Sequence, residues 1–192
     1  DKIFVCNRFA GTVSEVDVKN GKVTREVKVL REPSKVVVSP DGKYLFVSHN
    51  LGRFTVPTSQ LQQGWMNTNA MSVVDVASLE FKGAVLLDEP ERGAAGVWGV
   101  ECTPGYLIVS HSGTHEISVI DYPELIKKFE DYPDKMALNY DLHFLYGIRE
   151  RIALKGNGPR NFIVRDQEVI VPMFFSDDLN RYDLNTKQLS EV

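Results

Sequence analysis

A hairpin signature that recurs along the chain constrains the fold more than any other feature of the sequence. Residues 32–50 (EPSKVVVSPDGKYLFVSHN) contain two apolar runs rich in β-branched residues, and Ser39-Pro40-Asp41-Gly42 separates them. Proline fixes φ and glycine leaves φ free, so this tetrapeptide favours a tight reversal between two strands. The stretch therefore predicts a strand, a turn and a second strand.

The second strand of this hairpin has four copies, at spacings of 42, 62 and 62 residues. They are residues 2–7 (KIFVCN), 44–49 (YLFVSH), 106–111 (YLIVSH) and 168–173 (EVIVPM). Each copy is followed by a short run that ends in an aspartate, namely Asp17, Asp75, Asp121 and Asp183. From strand start to aspartate the distance is 15 residues in three copies and 31 in the second. A period of this kind predicts a repeat architecture.

These residues resemble the YVTN-type β-propeller repeat. The similarity covers the hairpin pattern, with Phe46-Val47-Ser48-His49 in place of that family's tetrapeptide, and the Ser-Val-x-Asp run that follows. The resemblance implies an all-β fold of radially arranged blades. Each blade is a sheet of four antiparallel strands, with the first strand innermost at the channel.

We therefore predict one all-β β-propeller domain over residues 1–192, with a short helical insertion. The predicted blades are residues 1–31, which lack the innermost strand, and residues 32–89, 94–155 and 159–192; the last blade's inner strand is placed at residues 160–165. This makes about three and three-quarter four-stranded blades. Propellers close with roughly four to eight blades, so we interpret the chain as a contiguous part of a larger, seven-bladed ring. The alternative is that partner chains complete the ring. Open sheet edges also predict self-association.

Two insertions break the period, at residues 51–70 and 122–148. The first lies between the second and third strands of its blade, and its Leu61, Trp65 and Met66 would form a lid over one face or cover the edge of the blade. The second lies between the third and fourth strands, on the opposite face. Leu125, Ile126 and Phe129 have helical spacing there, so we expect short packing helices.

Charge and composition exclude several classes of function. The chain has a net charge of −4 and a pI near 5.6, whereas a nucleic-acid partner requires a basic face. The longest uncharged run, residues 54–74, is rich in Gln, Asn, Ser and Thr, so no transmembrane segment is predicted. No C-x-x-C-H motif occurs, so this segment is predicted to carry no haem c and no other cofactor.

Three further stretches extend the resemblance: residues 64–70 (GWMNTNA), 111–116 (HSGTHE) and 144–160 (FLYGIRERIALKGNGPR). They look like the bacterial propellers found upstream of di-haem cytochrome c peroxidase-like domains. In that family the protein is exported and the haem-binding domain follows the propeller in sequence. The resemblance thus implies an extracytoplasmic location, in the periplasm or at the cell surface, and haem c in a following domain.

The four repeated aspartates are excluded from any site. A residue that occupies the same place in every blade has no reason to be catalytic, and an Asp at a strand end accepts local backbone N–H bonds. No Ser or Cys lies in a nucleophile elbow or beside a recognisable His and acid. No catalytic residue is predicted.

Residues that break the repeat are better candidates for a ligand site. The second strands end in Asn7, His49, His111 and Met173, and glycine-rich connections at residues 93–98 and 156–161 lie on the same face. Glycine permits close backbone approach to a ligand. The candidate ligand-binding residues are His49, Trp98, His111, His115, Arg160 and Asn161. No metal ligand is assigned, because blades separate the histidines and they are more simply explained by hydrogen bonds at the blade end.

Three functions remain open from the sequence. The first is a non-catalytic scaffold or binding module of an exported bacterial protein, which presents one face to a partner domain or small ligand, beside a c-type haem domain. The second is a lactonase-like hydrolase on the same fold. It would need acidic residues where the inner strands start, and Ser34, Gly96 and Arg160 occupy those places. The third is a redox propeller that binds haem or copper through His49 or His111.

Overall fold

The computed structural model describes residues 1–52 and 67–191. These residues form four antiparallel sheets, each built from consecutive strands of the chain. Blade 1 has three strands, and blades 2, 3 and 4 have four strands each. Successive sheets of this kind, packed side by side, are the blades of a β-propeller, so the fold is a partial β-propeller, as the sequence predicts.

The strands follow the predicted order within each blade. Blade 1 consists of β1 (Lys2–Asn7), β2 (Thr12–Asp17) and β3 (Lys22–Lys28). Blade 2 consists of β4 (Pro33–Val38), β5 (Tyr44–Gly52), β6 (Asn67–Asp75) and β7 (Glu80–Leu86). Blade 3 consists of β8 (Val97–Cys102), β9 (Tyr106–His111), β10 (Glu116–Asp121) and β11 (Arg149–Ala153). Blade 4 consists of β12 (Ile163–Arg165), β13 (Glu168–Pro172), β14 (Leu179–Asp183) and β15 (Leu189–Glu191).

Two predicted boundaries are corrected by the structure. Strands β5 and β6 continue beyond the repeat, because Leu51 pairs with Thr68 and Gly52 with Asn67. The first insertion is therefore narrower than residues 51–70, and Leu61, Trp65 and Met66 lie outside the described residues. The inner strand of blade 4 begins at Ile163 rather than at Arg160, because the residues before it pair in β fashion only at an isolated bridge between Pro159 and Met173.

The second insertion carries two helices, α1 (Tyr122–Asp131) and α2 (Lys135–Leu138). Asp121 caps α1, since its carboxylate accepts a hydrogen bond of 3.0 Å from the Glu124 amide. Leu125 and Phe129 are buried on the face that the spacing predicted. They pack into the apolar cluster shared by blades 2 and 3. The helices are packing elements of that blade boundary.

The repeated aspartates close the turns after the third strands, as predicted. Asp17 accepts a hydrogen bond of 2.9 Å from the Lys19 amide, Asp75 one of 2.7 Å from the Ser78 amide, and Asp183 one of 2.7 Å from the Thr186 amide. Because these bonds are local, each aspartate stabilises a turn within its own blade.

The apolar core lies between blades rather than at one centre. One cluster joins blades 1 and 2 around Val13 and Leu45, and another joins blades 3 and 4 around Phe162 and Val171. The turns between second and third strands and the links to the next blade emerge at one end of the sheets, which we call the connection face. The predicted ligand residues belong to the strand ends and links at this face.

Candidate functional site

The two strand-end histidines lie inside the blades. His49 is fully buried; its Nδ1 donates to the Arg31 carbonyl oxygen at 3.0 Å, and its Nε2 accepts from the Ser72 hydroxyl at 2.8 Å. Burial lowers the pKa of His49 to about 4, so the ring is neutral at pH 7. Both ring nitrogens of His49 are hydrogen-bonded within the protein, so neither is free to bind a ligand.

His111 occupies the equivalent place in blade 3 and is also fully buried. Its Nε2 lies 2.8 Å from the Ser118 hydroxyl. Burial, and then the positive charges of Arg151 and Arg149, lower its pKa to about 3. Asn7 fills this position in blade 1 and donates to the Ser14 hydroxyl at 2.7 Å. The strand-end residue therefore joins the second strand to the third within each of these blades. The Nδ1 of His111 is buried and has no hydrogen-bond partner among the described residues.

His115 holds the link between blades 3 and 4. Its Nδ1 accepts a hydrogen bond of 3.0 Å from the Gly158 amide, and its carbonyl oxygen accepts one of 2.9 Å from the Leu154 amide. Its φ is +54°, in the left-handed region that favours glycine and asparagine. This residue fixes the path of the chain that leads to Arg160.

Trp98, Arg160 and Asn161 come together on the connection face. They line a pocket of about 330 Å³ with Pro172 and Phe174. Trp98 is the second residue of β8, and Arg160 precedes β12, so two neighbouring blades supply the walls. Three of the six predicted site residues thus form one cluster. His49 and His111 are instead enclosed in their own blades, and His115 supports the link that leads to Arg160.

Aromatic rings surround the guanidinium group of Arg160. Its Cζ lies 3.7 Å from the ring centroid of Phe174, 4.8 Å from that of Trp98 and 5.3 Å from that of Phe175. Phe174 and Phe175 pack edge to face at 4.9 Å. A cation held over aromatic faces is stabilised by about 0.5–2 kcal/mol per contact, with the larger values when it is desolvated. We refer to Trp98, Arg160, Asn161, Phe174 and Phe175 as the Arg160 cluster.

Sequence reasoning missed Phe174 and Phe175. They follow the second strand of blade 4, where blade 2 has Asn50 and Leu51 and blade 3 has Ser112 and Gly113. Two phenylalanines at a turn that is exposed in the structure are a departure from the repeat that could have been noticed. Arg8, in the corresponding turn of blade 1, was also missed; its Cζ lies 5.6 Å from the Trp98 ring centroid.

Among residues 1–52 and 67–191, no three His, Cys, Asp or Glu side chains are grouped so that they could hold a metal ion. Within those ranges, neither helix has the length and the apolar character that a membrane crossing requires.

Comparisons with known proteins bear on the fold. No family model matches the chain. A curated relative, hydrazine synthase subunit beta of Kuenenia stuttgartiensis, is 25% identical over 120 residues, which are 60% of this chain and 31% of that protein.

Several solved structures match over the whole length of this chain. Hydrazine synthase of Kuenenia stuttgartiensis matches with a TM-score of 0.77 and 18% identity, over 54% of its own chain. The dihydro-heme d1 dehydrogenase NirN in complex with DHE matches with a TM-score of 0.64 and 16% identity, over 34% of its chain. This chain therefore spans about a third of the curated relative and about half of the solved hydrazine synthase chain. At these identities the likeness establishes a propeller scaffold and no activity.

Proposed function

We propose that this chain is part of a propeller scaffold that binds a partner domain or subunit through its connection face. The observation that carries the proposal is the exposure of Phe174 and Phe175, at 57% and 64%, beside Arg160 and Trp98. Aromatic residues and arginine are enriched at the centres of protein interfaces, where they supply most of the binding energy. Exposed rings at a turn do nothing for the blade's own core, so burial against a partner is the role that suits them.

Three similarities support a partner of redox character. The repeat resembles propellers that precede c-type haem domains in exported bacterial proteins, and the curated relative is named as a subunit of hydrazine synthase. A solved structure of the same fold is titled as a dihydro-heme d1 dehydrogenase. We accordingly propose an extracytoplasmic location and an adjacent haem-carrying domain, which this segment would position rather than hold.

The two alternatives have less support. A redox propeller would need His49 or His111 to reach a metal, and both rings are enclosed and hydrogen-bonded within their blades. A lactonase-like hydrolase would need carboxylates that converge on a cation, and no such group is found in the described part of the chain. Neither alternative has an observation in its favour.

Photo-crosslinking tests the proposal. A photoreactive benzoylphenylalanine would replace Phe175 in the protein expressed in its host, and the control would replace Tyr140, which is 80% exposed on the insertion between β10 and β11. Mass spectrometry of the crosslinked peptides detects either a separate protein or another domain of the same polypeptide. We expect one defined partner from position 175 and none from position 140. No crosslink from position 175, or equal crosslinking from both positions, would refute the proposal.

A further inference from the structure

We infer that the Arg160 cluster is a binding site for a carboxylate attached to a flat, apolar group. This inference rests on the proposed function and specifies the chemistry that the docking partner presents. The surrounding loops build the site, and no carboxylate among the described residues neutralises its charge.

The loops around Arg160 hold the cluster in place. The Gly158 amide donates to His115, the Phe174 amide donates 3.1 Å to the Gly158 carbonyl, and the Phe175 amide donates 3.1 Å to the Asn157 carbonyl. Gly158 has a φ of +73°, and a side chain there would run into the Phe175 ring. The turn after β13 is thus bound to the chain before β12, and Phe174 and Arg160 are positioned before any ligand arrives.

Among the residues that the structure describes, no carboxylate pairs with the positive charge of Arg160. Other arginines are paired: Arg149 with Glu89, Arg151 with Glu116, and Arg181 with Glu168 at 2.8 Å. For Arg160, no carboxylate oxygen within the described ranges lies within 4.0 Å of a guanidinium nitrogen. Its Nε is buried and has no hydrogen-bond partner there. Because Nε is enclosed, the terminal nitrogens are the groups that an anion would contact.

The geometry selects the class of ligand. The aromatic rings pack around the guanidinium, so an anion would meet the terminal N–H groups at its edge, where a carboxylate fits with two parallel hydrogen bonds. Asn161 is exposed and lines the same pocket, so its amide can donate a further bond. Trp98 and Phe174 offer apolar surfaces to whatever carries the carboxylate. A neutral ligand would leave the charge unmatched.

Benzoate is the probe that tests this chemistry. We would titrate the isotopically labelled chain with benzoate, and separately with benzyl alcohol and inorganic phosphate, and follow the Trp98 indole and Asn161 amide resonances. We expect benzoate to shift these signals, and benzyl alcohol to fail. Because a charge-assisted bidentate pair is lost, Arg160→Gln should weaken benzoate binding by roughly ten-fold or more. Arg160→Lys should give an intermediate loss.

A matched control separates the site from general electrostatics. Arg165→Gln removes one positive charge from the same blade at an exposed position, with a side chain that is 79% exposed, and it should leave benzoate affinity unchanged. Absence of benzoate binding, an equal response to benzyl alcohol, or binding that survives Arg160→Gln would overturn the inference. Stronger binding of phosphate than of benzoate would also overturn it.

Competition then identifies the source of the carboxylate. If benzoate suppresses crosslinking from position 175, the partner supplies the carboxylate group. If benzoate binds through Arg160 and crosslinking is unaffected, the site takes a free acid, and the carboxylate assignment stands without the partner. A partner that crosslinks from position 175 in a chain that binds no benzoate would retain the proposed function and refute this inference.

Discussion

The hydroxyl group of Ser48 in blade 2 donates a hydrogen bond of 2.8 Å to the main-chain carbonyl oxygen of Trp98 in blade 3. The same contact recurs one blade further on, where the Ser110 hydroxyl donates to the carbonyl oxygen of Arg160. Each serine precedes the strand-end histidine of its blade. The repeat motif therefore connects neighbouring blades through its serine and the strands within a blade through its histidine, and both wall residues of the Arg160 cluster are anchored by their backbones.

We predict that Ser110→Ala lowers the free energy of unfolding by about 1–3 kcal/mol, because two buried main-chain groups lose a partner. The Ser110 hydroxyl also accepts a bond of 2.8 Å from the Gly99 amide. Urea unfolding measures the change. Ser190→Ala, at an exposed site with a long 3.5 Å bond, is the control and should stay within about 0.5 kcal/mol of wild type. Equal effects would show that the contact between blades contributes nothing.

We predict that stability falls as the pH is lowered from about 6.5 to 5. The pKa values of His49 and His111 are lowered to about 4 and about 3 in the folded chain, whereas an unfolded histidine titrates near 6.5. The unfolded chain therefore binds protons that the folded chain does not. Each histidine contributes a slope of up to about 1.4 kcal/mol per pH unit, with stability present above pH 6.5 and lost below it.

Substitution of His49 and His111 by asparagine tests whether these two residues cause the pH dependence of stability. Asn7 makes the corresponding hydrogen bond in blade 1, so asparagine suits the position and does not titrate. Urea unfolding at several pH values between 5 and 7 should show a flatter dependence in the double variant. An unchanged slope would assign the pH dependence to other groups.

Arg151→Met should destabilise the chain by about 3 kcal/mol, because it leaves the fully buried Glu116 without one of its partners. Arg151 also donates to the carbonyl oxygens of Arg92 at 2.9 Å and Gly93 at 2.8 Å, so it secures the link to Trp98. Hydrogen exchange should show faster exchange in residues 88–96. The control is Arg181→Met, which breaks a half-exposed ion pair and should cost under about 1 kcal/mol. A similar loss of stability in both variants would contradict a special contribution from the buried ion pair.

Gly158→Ala should both destabilise the chain and weaken benzoate binding. Its positive φ strains any side chain by about 1–2 kcal/mol, and the added methyl group would displace Phe175. Gly147→Ala is a matched control, because Gly147 has a φ of +80° and open space around it. Both variants should lose stability in urea, and benzoate affinity should fall in the Gly158 variant alone. Equal benzoate affinities in the two variants would show that Phe175 does not contribute to the site.

We predict that the chain self-associates through strand β1. This strand pairs only with β2 in the described structure, and its Ile3 and Val5 are 51% and 40% exposed, so it offers a free edge and an apolar surface. Analytical ultracentrifugation over a range of concentrations measures the association. Lysine at both positions should reduce it, because a charge on an edge opposes pairing. A monomer at every concentration tested would contradict the prediction.

The sequence predicts only part of the candidate site. The sequence predicts Trp98 and Arg160 as site residues because they break the repeat beside glycine-rich connections, and the structure brings them together across a blade boundary. The histidines were chosen for the same reason, yet His49 and His111 are buried. A strand-end position does not reveal whether its side chain turns outward or into the sheet, since the neighbouring strand decides this.

The sequence by itself determined the strands, their grouping into blades and the aspartate-closed turns, because these depend on hydrogen bonds and alternation within one repeat. Only the tertiary structure decided which residues form the Arg160 cluster, and that no carboxylate within the described ranges pairs with Arg160. Those relationships join side chains that lie tens of residues apart, such as Trp98 and Phe174. The packing of one blade against the next sets their distances, and no local pattern encodes that packing.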